Sequence, residues 1–272
     1  LESEMPEPEA YQLLGNAPQI YEEQKVPAMF RPLAEATLHR VDVPNGSRVL
    51  DVACGTGIVG RLVAERAGAS GSVVGVDLNA GMIEVAKQNA PKDGNTEWRQ
   101  GDVASLPFPD DRFDLAFCQQ GLQFFPDKLT ALKEIRRVLA PGGAVIVTVW
   151  SSVPPLGTAI ADALTRCVSP EVAKSSLAPF AFNYPEVIRK LFVESGFLDI
   201  QMEKLTVNRS LGPAEESIPL EMASAPYAND IEKLDMATRT AMVKEIGEAL
   251  ENYRADDGLA IPQETHLIRA TA

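Results

Sequence analysis

Residues 48–60 read RVLDVACGTGIVG. A short apolar strand runs there into an acid, Asp51, and then into Gly55-Thr56-Gly57, a turn in which the backbone can pass close to a bound ligand. Ile58 to Ala67 follows with apolar positions at helical spacing. The segment is a strand-turn-helix unit, and ligands of open α/β sheets bind at such carboxyl ends of strands. Gly55, Gly57 and Gly60 also satisfy Gly-X-Gly-X-X-Gly, the dinucleotide fingerprint, with Asp77 at the expected distance beyond it. A nicotinamide site normally has an all-apolar strand before its first glycine, whereas Asp51 stands on the strand itself. An acid there suits a cationic amine, directly or through water, better than a pyrophosphate.

Downstream, Ser72 to Asp77 (SVVGVD) predicts a second strand ending in an acid, and Ala80 to Ala90 a helix. An acid at that tip reads as a partner for ribose hydroxyls. Glu97 to Val103 predicts a third strand and its exit, and Phe113 to Cys118 a fourth that empties into Gln119-Gln120-Gly121. A helix from Leu129 to Leu139 then meets Pro141-Gly142-Gly143, a turn that ends it, ahead of a fifth strand from Ala144 to Trp150.

Four segments now stand in order: VLDVACGTG (49–57), GVDLNAGMI (75–83), QGDVASLPFPDDRFD (100–114) and LKEIRRVLAPGG (132–143). Their order and spacing resemble the core of the class I S-adenosylmethionine-dependent methyltransferases over residues 46–150. The branch most similar includes the ubiquinone and menaquinone C-methyltransferases, and YEEQKVPAMFRPLAEA and CQQGLQFFPD resemble flanking stretches of bacterial members. The resemblance implies an α/β fold: a doubly wound, seven-stranded, mainly parallel sheet, its last strand antiparallel, with an N-terminal helical lid and helical inserts towards the C-terminus. It divides the chain into a lid (1–45), a cofactor-binding core (46–150) and the rest of the sheet with substrate-binding inserts (151–272).

Carried over by position, the resemblance places Asp51 and the backbone of Ala53, Gly55, Thr56 and Gly57 against the methionine part of S-adenosylmethionine, and Asp77 on its ribose. Leu78 and Met82 fall beside the adenine, Asp102 and Val103 on its edge. Gln119 and Gln120 lie at the strand-four exit near the sulfonium. Two departures stand out. Ala53 replaces a common glycine and predicts a slightly altered loop, since alanine disfavours positive φ. Gln123 replaces a frequent histidine, which removes one candidate acid or base.

The chain has 272 residues, is 45% apolar and 23% charged, and carries a net charge of −13. That suits one sizeable core with an appended region. The charge disfavours a nucleic-acid substrate, since phosphate binding rests on clustered Lys and Arg, and no apolar run approaches the roughly 20 residues that span a bilayer. Cys54, Cys118 and Cys167 show neither disulfide nor zinc spacing. A cytoplasmic enzyme with no metal is expected, with a homodimer the candidate assembly. Cys54 and Cys118 do flank the cofactor loops, so thiol ligation of a metalloid such as arsenite is a sharper alternative to plain burial. The start, LESEMPEPEA, is acidic and Pro-rich, unlike a secretory leader. It predicts disorder, with Met5 the candidate native start.

Tyr11 to Arg40 predicts helical segments interrupted at Pro27 and Pro32. In this layer Tyr21, Phe30 and Arg31 are candidates to touch cofactor or substrate, against simple packing or solvation. Beyond Trp150, helices are predicted to about Asn183, from Pro185 to Ser195 and within 213–258, with strands at Leu198 to Arg209 and Ile261 to Ala270. Trp150, Phe180, Phe182, Tyr184, Met222 and Tyr227, with Gln123, are candidates for the substrate pocket, the alternative being core. His266 and Tyr21 are the only candidates for a catalytic role. Without an evident base, the expected reaction is methyl transfer to a C, O or N atom of a small, partly apolar molecule, leaving S-adenosylhomocysteine and driven by alignment. An NAD(P)-dependent oxidoreductase, or a sulfonium-cofactor protein with other chemistry, is the alternative.

Overall fold

A computed structural model describes residues 15–91 and 95–272. The expectations for the first ten residues, and for the helix start at Tyr11, lie outside those residues. Eight strands form one sheet: β1 (Arg48–Val52), β2 (Ser72–Asp77), β3 (Thr96–Gln100), β4 (Phe113–Gln119), β5 (Leu139–Trp150), β6 (Leu198–Leu211), β7 (Arg254–Ala255) and β8 (Gly258–Thr271). Their order is β3-β2-β1-β4-β5-β8-β6, with β7 paired to β8. β3 to β5 are parallel through β2, β1 and β4. Gly142 N–H donates to the Ala272 carbonyl, Ala272 N–H to Gly143, and Ser151 N–H to Glu264, so β8 runs antiparallel to β5. The sheet is thus the mainly parallel one expected, with the two-residue β7 added through a hairpin at Asp256-Asp257 that the composition did not suggest.

The parallel strands are apolar on both faces because helices cover both. Val49, Leu50 and Val52 of β1 have no solvent exposure. On one side they meet Val59, Leu62 and Val63 of α3 (Ile58–Ala67), each such side chain contributing about 1.5–3 kcal/mol by leaving water. α4 (Ala80–Gln88) starts where Asn79 accepts a hydrogen bond from Met82 N–H, and α5 (Lys128–Val138) where Asp127 accepts from Thr130.

One expected turn is different. Leu139, at φ −79° and ψ 135°, leaves the helix straight into the strand, so Pro141-Gly142-Gly143 is not a connection ahead of β5 but a bulge inside it. Phe113 pairs with Leu139 while Leu115 pairs with Ala144, and the intervening residues loop out at Gly142, whose φ is 78°.

The chain divides into two compact units. The first runs through Val149 and takes in Asn183–Leu205 and Thr265–Ala272; the second comprises Trp150–Phe182 and Thr206–Glu264. Residues 151–272 are therefore shared between them. The first also holds α1 (Ala17–Ile20), a π-helical stretch (Tyr21–Phe30), α2 (Arg31–Leu38) and α8 (Pro185–Glu194). The second is mainly helical: α6 (Pro155–Cys167), α7 (Pro170–Ser176), α9 (Ala214–Ala223), α10 (Ala228–Glu232) and α11 (Met236–Ala249). Ile160, Leu164, Ile218, Met222, Met242 and Ile246 make its core. Beside that core Arg209 and Glu221 form a nearly buried ion pair at 2.5 Å. Among the described residues no helix is long and apolar enough to cross a membrane.

Candidate active site

After β1 the chain moves outward to β2 and β3, then crosses back to β4, so the order reverses between β1 and β4. A crevice for a ligand opens at such a switch point. Both strand exits carry a residue in the left-handed region that side chains disfavour: Ala53 at φ 52° and Gln120 at φ 55°. Each costs on the order of 1 kcal/mol. Ala53 therefore stands in a conformation that glycine adopts without cost. Two such residues at adjacent strand ends mark stored strain of the kind concentrated at functional sites.

Asp51 is 1% exposed and accepts the Gly60 N–H at 2.8 Å. Burial pushes its carboxyl up to about 7; that hydrogen bond opposes the rise, the Asp77 charge adds to it and Arg61 counters it. Asp77 accepts the N–H groups of Gly55 and Asn79, each at 2.8 Å. Burial raises its carboxyl too, against those two bonds. Asp77 thus ties the end of β2 to the β1 loop. At Gly55, whose φ is 54°, a Cβ would meet, among the described residues, only Tyr21 Cε1 at 3.9 Å, and Thr56, 1% exposed, keeps a hydroxyl with no partner among them. Leu78 at the β2 tip is 55% exposed. Two carboxylates, an open glycine cradle, an orphaned hydroxyl and a bare apolar side chain fit a ligand with an ammonium end, a sugar diol and a flat ring.

The N-terminal helices lie on this loop. Pro18 approaches Gly81 at the start of α4, where a Cβ would stand 3.0 Å away. Tyr21 stacks on Phe30 with ring centroids 5.0 Å apart. Arg61 donates to the Thr56 carbonyl and pairs with Glu22, both at 2.6 Å. Pro27 sits within the π-helical stretch, a winding in which missing α-helical bonds are tolerated. Gln119 turns its amide to the Phe30 carbonyl at 3.1 Å, while Arg31 faces outward and pairs with Glu35.

Met82 is buried at the first turn of α4. The Asp102 side chain caps the short turn Val103–Ser105 through Ala104 N–H. Gln120, Gln123 and Thr265 form one buried cluster: Gln120 Nε2 donates to Thr265 Oγ1 at 2.8 Å, Gln123 Nε2 to Gln120 Oε1 at 3.1 Å, and Thr265 to the Val149 carbonyl at 2.6 Å. His266, on β8, places Nε2 3.1 Å from the Asn183 carbonyl. That carbonyl can only accept, so Nε2 is the ring nitrogen that donates there. Tyr184 is exposed. Trp150, Phe180, Phe182, Met222 and Tyr227 belong to the second unit, where Trp150 and Phe180 have ring centroids 5.9 Å apart and Met222 and Tyr227 pack with its core. Cys54 and Cys118 are buried and unpaired; burial raises both thiols, Cys118 to about 12. No cluster of metal-ligating side chains occurs among the described residues.

One residue behind the loop had no sequence signal beyond its place in a strand. Trp98 of β3 packs with Cys54, Ile83 and Ala86 and lies flat against three glycines. A Cβ would come within 2.5 Å of its ring at Gly57 and 2.7 Å at Gly60, and closer still at Gly75. Gly60, the third position of the dinucleotide fingerprint, is thus required by Trp98 and by Asp51. The Glu22–Arg61 pair was equally silent, because its partners lie far apart in the chain.

A family model described as "Methyltransferase domain" matches residues 50–147. The demethylmenaquinone methyltransferase of Staphylococcus epidermidis is 37% identical over 179 residues, 61% of this chain and 74% of that enzyme. The same-named enzyme of Staphylococcus aureus is 34% identical over 177 residues, 60% and 73%. Among solved structures, a phosphoethanolamine N-methyltransferase of Haemonchus contortus, bound to S-adenosylhomocysteine, shares the fold with a TM-score of 0.56 at 22% identity. The match covers 88% of this chain and about half, 52%, of that one. The chain belongs to the S-adenosylmethionine-dependent methyltransferases.

Proposed function

We propose that the chain methylates a ring carbon of a small, partly apolar, quinol-type acceptor. The observation that carries this reading is the likeness to demethylmenaquinone methyltransferases over 179 residues, well beyond the matched core of 50–147. When bound, S-adenosylmethionine supplies an electrophilic methyl group whose bond to sulfur breaks, the electron pair staying on sulfur, as the bond to the acceptor forms. A quinol ring carbon beside a hydroxyl-bearing carbon is already nucleophilic, and its proton passes to bulk solvent once the product is released. The protein then has to align and to exclude water. Asp51 holds the ammonium end, Asp77 the ribose, Leu78 and Met82 the adenine, with Val103 N–H on its edge. Tyr21 and Phe30, stacked on one another beside the Gly55 loop, cover the crevice.

Incubation with methyl-labelled donor and a panel of prenylated 1,4-naphthoquinols and benzoquinols is expected to raise the mass of one quinol by a single labelled methyl group. Absence of a methylated quinol while another acceptor class is methylated would refute the acceptor assignment. Asp77→Ala, which loses bonds to the ribose and the tie to Gly55, is expected to weaken S-adenosylhomocysteine binding by roughly 1–3 kcal/mol, read by calorimetry. Unchanged affinity would remove Asp77 from the site.

A further inference from the structure

The buried cluster at the end of β4 has a direction, imposed from one end. The Val149 carbonyl can only accept, so the Thr265 hydroxyl gives it its single proton at 2.6 Å. Thr265 Oγ1 is then left to accept, and Gln120 must offer Nε2, at 2.8 Å. That turns Gln120 Oε1 towards Gln123, which answers with its own Nε2 at 3.1 Å. The series ends in Gln123 Oε1, a bare carbonyl oxygen on a side chain 6% exposed, with no donor among the described residues. An acceptor left so is costly in a folded protein, and Gln120 adds its left-handed backbone at the same place. The cluster borders the cofactor loop: a Cβ at Gly121, between the two glutamines, would stand 2.7 Å from the Ala53 Cβ.

We propose that Gln123 Oε1 anchors the acceptor by receiving a hydrogen bond from its ring hydroxyl, and so selects the reduced, hydroxyl-bearing ring over its oxidised form. A quinone offers only lone pairs, which would face the lone pairs of Gln123 Oε1; a quinol offers the missing donor. Thr265 and Gln120 are positioning residues that keep the amide from turning over. This inference rests on the quinol-type acceptor argued above, and it adds a selection by oxidation state to that reading.

The test uses two stable probes, 1-naphthol and 1-methoxynaphthalene, titrated into the whole protein saturated with S-adenosylhomocysteine. The wild type is expected to prefer the naphthol at least about tenfold. Gln123→Leu should bring the ratio close to one while S-adenosylhomocysteine affinity holds. Gln123→Met, of equal length, gives the same reading should the leucine variant not fold. Thr265→Val, which lets the Gln120 amide turn, should lower the ratio part of the way. Because the ratio compares two probes on one protein, general loosening cancels. A wild-type ratio near one, or a tenfold ratio kept in the Gln123 variants, overturns the anchor and leaves an aromatic acceptor standing. Failure of the wild type to bind either probe overturns both.

Discussion

Asp51→Asn is expected to make the protein more stable at pH 8 and a poorer cofactor binder, two effects of opposite sign from one atom. The carboxyl is wholly buried and its folded value lies at about 7, against about 3.9 in an unfolded chain. For a group raised by folding, the contribution to stability is fully present below the unfolded value and is lost as pH rises through the folded one. Stability from Asp51 therefore declines between about pH 4 and pH 7, by an amount on the order of 2–4 kcal/mol. Asparagine keeps an oxygen for the Gly60 N–H and carries no charge, so the decline is absent from the variant. Melting temperatures across pH 4–8 should show the wild type losing several degrees relative to the variant. The charge that burdens the empty fold is what the ammonium end of the cofactor offsets, so the variant should bind S-adenosylhomocysteine roughly 10- to 100-fold more weakly. Wild-type binding should also weaken as pH falls below 7, because Asp51 takes up a proton. A variant with parallel melting curves and undiminished affinity would separate Asp51 from both roles.

Trp98→Ala is expected to cost about 3–5 kcal/mol, read by urea or thermal unfolding. The ring is 6% exposed and fills the space between β2, α3 and α4 that Gly57, Gly60 and Gly75 leave open. The stronger form of this expectation is a coupling. Gly75→Ala alone drives a methyl group into the Trp98 ring from a central strand, an overpacking that costs about 1–3 kcal/mol. With Trp98→Leu in place the obstacle is smaller, so the double variant should be less destabilised than the two single changes together by about 1 kcal/mol or more. Strict additivity would mean that the glycines answer to something other than Trp98.

The fold from β1 to β5 was legible because its elements are short, local and periodic. Arg48–Val52, Ile58–Ala67 and Ser72–Asp77 each carry their own pattern; the helix stops at Gly68 and the second strand ends in an acid. Where neighbours decide, local pattern failed. Pro141-Gly142-Gly143 reads as a turn in isolation, yet its backbone bonds to Ala272 hold it inside the sheet. Pro27 reads as an interruption, yet the chain winds through it as a π-helical stretch. In the site, Asp51 and Asp77 stood out because an acid at the end of an apolar strand is costly without a reason. The glutamine cluster did not: Gln120 and Thr265 are 145 residues apart, and only the fold brings them together. For the same reason Gln123 read only as a replaced histidine, and its hydrogen bond to Gln120 was not visible.

Calorimetric titration of the wild-type protein with S-adenosylhomocysteine and, separately, with NADH measures most directly what the crevice at the switch point between β1 and β4 is shaped to hold. The expected result is saturable binding of one S-adenosylhomocysteine per chain, weakened in Asp77→Ala and Asp51→Asn, and no binding of NADH. Saturable NADH binding with no heat from S-adenosylhomocysteine would contradict it.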